Sequence, residues 1–170
     1  MQTDSWGPSE WESMHFKTFG SPEVFDAETK NLYVTFFKTN VRIIPCSMCQ
    51  TAFSNMMRYF PVELYADSRY GLCFWLFIMH NLVNRKLEKP LEMFCNVVYK
   101  YENMRARCGS KNDKQKYAQC LANLEPYTME QAKDLAKKIK EKYKTLAYEH
   151  LESYYNSDNV IDPKYHKCKL

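Results

Sequence analysis

Glycine is scarce: only 4 of the 170 residues. A doubly wound nucleotide-binding fold gathers several glycines in its phosphate turn, so the count argues against that fold. The opening residues, Met1 to Trp6, offer neither a basic start nor an apolar run, so no secretory signal is read there. The most apolar stretch, residues 71–82, is too short to span a bilayer and contains His80 and Asn81. The expectation is a soluble chain, not secreted by the ordinary route and without a membrane partner. Charge of one sign is also lacking. Lys and Arg number 24 against 20 Asp and Glu, a formal net charge of +4 that calls for no nucleic acid. Internal repeats and low-complexity tracts are absent.

What is present is a core-forming composition rich in rings. Hydrophobic residues make up 45% of the chain, with 13 Tyr, 10 Phe and 3 Trp, enough for one ordinary domain with an appendage. Aromatic side chains fill cores and also stack on flat ligands. Seven cysteines need a reason, because intracellular cysteines are more often metal ligands or redox-active than structural.

The chain reads as helical throughout. Gly7-Pro8 opens a first helix to residue 19, with Pro8 suited to a first turn. A second helix is expected over 27–39, on the spacing of Leu32, Tyr33, Phe36 and Phe37. Ile43-Ile44-Pro45 reads as an extended connector. Further helices are expected over 46–59, 68–87 and 91–107. The segment 108–113 is a break, so the domain reading is a core over 1–107 and a helical, basic, Tyr-rich extension over 108–170. Within the extension, Thr128 and Gln131 form a capping box. They open an amphipathic helix with a stripe at Ala132, Leu135, Ile139, Tyr143, Leu146 and Leu151. That stripe can fold back on the bundle, extend a dimer interface or dock a partner. The mixed Lys and Glu of its other face read as a solvated surface.

Three motifs carry chemistry. Pro45-Cys46-Ser47-Met48-Cys49 places a CxxC pair at a helix start, where unpaired amides and the helix dipole stabilise a thiolate. Half a zinc site would need a second doublet or a His pair, which Cys73, Cys95, Cys108, Cys120 and Cys168 do not supply, so no metal is expected. A thioredoxin-like setting would need flanking strands. The second motif places His80, Asn81 and Asn84 on one stripe of an apolar helix. Buried polar groups are costly unless partnered, and three together suit a buried polar ligand, with Lys86 and Lys89 placed for a phosphate. The third, Trp6-Gly7-Pro8 with Trp11 and His15, is weak alone, since an aromatic stripe is more often core.

In the order WGPxxWxxxH, PCxxC, HNxVNxKLxKP, these motifs resemble the Erv/ALR flavin-linked sulfhydryl oxidases, in particular their compact viral versions. The resemblance covers residues 6–107. It implies an all-α fold: a four-helix bundle with a short fifth helix holding FAD, commonly dimeric, here with an additional helical extension. It implies that Cys46 and Cys49 are catalytic, with Cys49 nearer the flavin. It implies that Gly7, Pro8, Trp11 and His15 line the flavin, and that His80, Asn81, Val83, Asn84 and Leu87 hold the adenosine part. Lys86 and Lys89 fall near the pyrophosphate, and Tyr99 is the aromatic chosen to complete the pocket. Electrons would pass from protein dithiols or a redox carrier through Cys46–Cys49 and the flavin to O2, giving H2O2.

Departures from the family pattern carry their own expectations. Glu88 stands where a Gly is common. Phe77 replaces a cysteine, so a Cys73–Cys95 bridge and two free thiols are both open. Cys108 and Cys120 are candidates for a shuttle pair or a structural disulfide, and Cys168 for an incidental thiol. The viral look points to host cytoplasm or virion, with the mitochondrial intermembrane space as the alternative. Two other readings are a flavin-free helical interaction protein and a flavin-free thiol–disulfide exchange protein. Neither needs the HNxVN stripe.

Overall fold

A computed structural model describes residues 2–105 and 126–157. It contains six α-helices: α1 (Thr3–Phe19), α2 (Ala27–Ile43), α3 (Ser47–Tyr59), α4 (Arg69–Lys86), α5 (Phe94–Arg105) and α6 (Met129–Tyr155). A 3₁₀ turn, Val62–Leu64, follows α3. Among the described residues the only extended pairing is an isolated bridge between Val24 and Ser68.

Local chemistry sets the helix starts. Asp26 caps α2 by accepting the Thr29 N–H at 2.7 Å, Ser68 caps α4 from Gly71, and Thr128 and Gln131 complete the expected capping box of α6. Two starts differ from expectation. α1 begins at Thr3, so Pro8 lies inside the helix, in its second turn. α5 begins at Phe94 because residues before it are tied to α4: Asn81 donates to the Glu92 carbonyl and accepts its N–H, both at 3.0 Å. One end also differs. α2 continues to Ile43, and only Ile44, directly before Pro45, is extended.

α4 is the axis of the molecule. Residues 71–79 are all buried, which is why they show no polar face. Helices α1, α3, α5 and α6 all pack against it, and α2 packs on α3. Trp75 is wholly buried and donates its indole N–H to the Phe60 carbonyl at 2.9 Å, tying the end of α3 to α4. Helices α1 to α4 form the bundle, and short α5 lies across α1 and α4.

The extension folds back on this bundle. Ala132, Ile139, Tyr143 and Leu151 of the expected stripe are buried, together with Ala136 and Ala147, while Leu135 and Leu146 pack at the edge. Tyr65 bonds His150 at 2.9 Å, and the Tyr143 hydroxyl donates to Asp67. Lys142 pairs with the same carboxylate at 2.8 Å. Cys108, Cys120 and Cys168 lie outside the described residues.

At the end of α4 the chain turns at Glu88, which has φ 53°. This is the left-handed region, costly for a residue with a Cβ and free for glycine. Glu88→Gly is therefore expected to stabilise the fold by about 0.5–1 kcal/mol, after glycine's extra unfolded-state entropy is deducted. A denaturant midpoint unchanged or lowered relative to the parent would contradict this.

Candidate active site

Cys46 is the N-cap of α3. Its sulfur accepts the Cys49 N–H at 3.2 Å, and the two cysteines are joined as a disulfide with Cα atoms 5.2 Å apart. Pro45 keeps the preceding residue extended, so the pair sits where the α3 amides and dipole converge. A thiolate released there is stabilised by the helix start.

The disulfide borders a cavity of about 640 Å³ between α1, α3 and the end of α4. Val41, Ile44, Ala52 and Phe53 line the same cavity. Trp6, Gly7, Pro8 and Trp11 form the α1 wall. His80, Val83, Asn84, Lys86, Leu87 and Lys89 form the facing wall. Trp11 and His80 stack face to face, with centroids 4.1 Å apart and planes 5° from parallel.

Two expected lining residues stand behind the wall. His15 is almost fully buried, and its Nε2 meets His80 Nδ1 at 3.2 Å. Asn81 faces away from the cavity and clamps Glu92, holding the loop that carries Leu87 and Lys89. Tyr99 is 39% exposed and off the cavity. Tyr101 lines it instead, stacked on His15 at 4.8 Å. The α5 stripe Val97, Val98, Tyr101 has helical spacing and excludes position 99, so periodicity alone could have chosen it. Trp6, Phe53 and Lys100 also line the cavity, and sequence reasoning had assigned none of them a ligand.

Burial lowers the His15 imidazole to about 3, reinforced by charge on His80 and then Lys100. Burial likewise lowers His80 to about 4, with Lys100 and Lys89 adding repulsion. Both rings are therefore neutral at physiological pH, one donating and the other accepting. In the unfolded chain they titrate near 6.5. Between these values the unfolded state binds more protons, so the histidines' contribution to stability is complete above pH 6.5 and falls as the pH drops toward about 4 for His80 and about 3 for His15. The slope is at most about 1.4 kcal/mol per pH unit for each histidine. Denaturant melts of ligand-free protein at near-neutral and mildly acid pH are expected to show it, and His15→Phe to flatten it. Equal slopes in parent and variant would refute the assignment.

The lining joins flat aromatic rings to three cations, Lys86, Lys89 and Lys100, and two acids, Glu10 and Glu12, with Lys100 paired to Glu12 at 3.0 Å and Lys89 to Asp4 at 3.5 Å. The Trp6 indole Nε1 is buried with no hydrogen-bond partner among the described residues, so a donor waits for an acceptor. Among the described residues, the other two cysteines form no second disulfide. Cys73 is a free, fully buried thiol, pushed up by burial and set against Thr18, and Cys95 is free and partly exposed. The Cys73–Cys95 bridge is not formed.

Fold and site together define an all-helical bundle with a CxxC disulfide bordering an aromatic cavity lined in part by lysines. The Erv1 / Alr family model matches residues 8–107, and the chain belongs to that family. It is 29% identical over 85 residues to a protein of Acanthamoeba polyphaga mimivirus described as a probable FAD-linked sulfhydryl oxidase, across 49% of this chain and 59% of that one. The match thus spans about three fifths of that relative. It is 26% identical over 87 residues to the FAD-linked sulfhydryl oxidase of African swine fever virus, across 51% and 71% of the two chains. The crystal structure of the FAD-binding domain of Erv1 from Saccharomyces cerevisiae matches with TM-score 0.52 and 28% identity. It covers 55% of this chain and 87% of that chain. Helix α6 lies outside the family match.

Proposed function

We propose that this chain is a FAD-linked sulfhydryl oxidase that makes disulfide bonds in protein dithiols and reduces O2 to H2O2. The observation that carries this is the Cys46–Cys49 disulfide opening onto the same cavity as the Trp11 and His80 walls. A substrate thiolate attacks the Cys46 sulfur, forming a mixed disulfide and releasing Cys49 as a thiolate at the start of α3. The second substrate thiol then attacks the mixed disulfide, so the substrate leaves oxidised and Cys46–Cys49 is left as a dithiol. FAD, when bound, supplies the two-electron acceptor that regenerates the disulfide and can pass those electrons to O2. Gly7, Pro8, Trp11, Val83, Asn84 and Leu87 would enclose it, with Trp6 and His80 as polar contacts. Lys86, Lys89 and Lys100 would meet its phosphates, His15 would fix the His80 ring, and Asn81 would fix the loop. Tyr101 takes the place expected of Tyr99.

Absorption spectra of the purified chain, with dithiothreitol in air and without air, test the proposal. Flavin bands that bleach only anaerobically, with peroxide formed in air, support it. A colourless chain that stays so after refolding with FAD would sink it and favour a flavin-free thiol-exchange or interaction role.

The homodimer belongs to the same proposal. Exposed Leu32 (66%) and Phe16 (47%), with Phe36, line an apolar depression between α1 and α2 that suits a second copy. Leu32→Glu is expected to weaken self-association at least about tenfold, read by light scattering against concentration. A monomeric parent would dismiss this face. Both named relatives are viral, which favours the host cytoplasm or virion over the mitochondrial intermembrane space. Among the described residues, no helix is long and apolar enough to cross a membrane.

A further inference from the structure

A second cavity, of about 600 Å³, opens on the other side of α4. Its floor is apolar, built from Phe74, Phe77, Ile78 and Phe94, and exposed Leu91 and Met93 stand at its lip. Its other wall is α6, outside the family match, so the groove exists only because the extension folds back. α4 separates it from the redox cavity: Phe77, Ile78 and Asn81 face the groove, while His80, Val83 and Asn84 face the disulfide side.

The charge on the groove is arranged along its length. Lys133, Lys137, Lys140 and Lys144 follow one stripe of α6. At 1.5 Å per residue that stripe runs for about 16 Å. Lys144 is paired with Glu141 at 4.0 Å. Lys133, Lys137 and Lys140 have no ion-pair partner among the described residues. Glu92 and Glu141 are the acids in the lining, so cations outnumber them four to two. A single-headed amphiphile would need its cations gathered at one end. Cations spaced by helical turns beside an apolar floor instead match acids spaced by helical turns beside an apolar stripe.

We propose that this groove docks an acidic amphipathic helix of a partner protein. The partner's apolar stripe lies on the α4 floor, and its carboxylates face the α6 lysines. Docking there leaves Cys46 and Cys49 open, so the groove recruits a partner without competing with thiol exchange. The surface needs neither bound flavin nor turnover, so its test is independent of the oxidase reading.

The test uses the full chain and a fluorescein-labelled peptide of roughly 18 residues, long enough for the lysine row, with Leu on one face and Glu flanking it. Fluorescence anisotropy is expected to show saturable binding that weakens with salt. The double variant K137E/K140E turns two attractions into repulsions, and at least about a tenfold loss is expected. A peptide with Lys in place of Glu is expected to reverse the preference and bind the double variant better. Met93→Asp, at an exposed lip position, is expected to weaken the Glu peptide from the apolar side. Circular dichroism checks that the variants keep their helices. Absence of saturable binding, or equal binding by parent and double variant, overturns the proposal. So does a groove that takes sodium palmitate, sensitive to the same lysines, while rejecting the peptide.

Discussion

Cys49→Ser is expected to abolish dithiol oxidation, by on the order of 10³-fold or more, while the flavin bands remain. A serine hydroxyl neither forms the disulfide nor ionises near neutral pH, so no sulfur remains to close on Cys46. The free Cys46 thiol should then accumulate a mixed disulfide with an oxidised substrate, visible by mass spectrometry and released by reductant. Cys46→Ser should lose activity as fully, and its fold is protected for a specific reason. Cys46 is the N-cap of α3, and serine caps a helix well, so the loss cannot be assigned to a frayed helix. Cys73→Ala and Cys95→Ala serve as controls. Both thiols are free and outside the redox cavity, so turnover per folded molecule should stay within about twofold. Retained oxidation in the Cys46→Ser, Cys49→Ser double variant would move the chemistry elsewhere and defeat the proposed mechanism.

Gly71→Ala is the largest expected loss of stability. A Cβ at position 71 would collide with the Tyr65 carbonyl, the Tyr143 hydroxyl and the Asp67 carboxylate. None of these can retreat easily. Tyr65 contributes backbone, and the other two are bonded to each other, with Lys142 also on Asp67. Overpacking so confined costs about 2–4 kcal/mol. The strain falls where α6 meets the start of α4, so α6 should become the first element cut in limited proteolysis. Tyr143→Phe removes one of the obstructing atoms and costs about 1 kcal/mol alone. In the double variant it should recover part of the glycine loss, a coupling that a denaturant series can measure. Strict additivity, or an alanine variant as stable as the parent, would show that α6 is not held this tightly.

Much of the fold and the site was legible because it is local. The six helices follow from periodicity and caps, and the Thr128–Gln131 box appears as read. The CxxC pair at a helix start depends on four consecutive residues and a preceding proline. Glu88 stood out against the family pattern, where Gly is common, and its positive φ gives the physical reason for glycine there. Other features needed the folded chain. Asn81 and Asn84 are three residues apart on one helix. Their different roles, clamping Glu92 and lining the cavity, depend on where the loop after α4 lands. Tyr99 and Tyr101 are chemically alike; helical spacing separates their faces, but only the packing of α5 on α1 brings Tyr101 onto His15.

The sequence by itself determined the helical class and the CxxC pair at a helix start, because caps and spacing along one helix are local; its motifs, through their resemblance to the family, pointed to Gly7, Pro8, Trp11, His80, Val83, Asn84, Lys86, Leu87 and Lys89 in the cavity wall. Tertiary structure decided which residues meet across helices. It joined His15 to His80 over 65 positions, and it laid the stripe of α6 on the bundle instead of leaving it to a partner. Contacts between distant segments depend on how whole surfaces fit at packing density, and no short window of sequence contains that information.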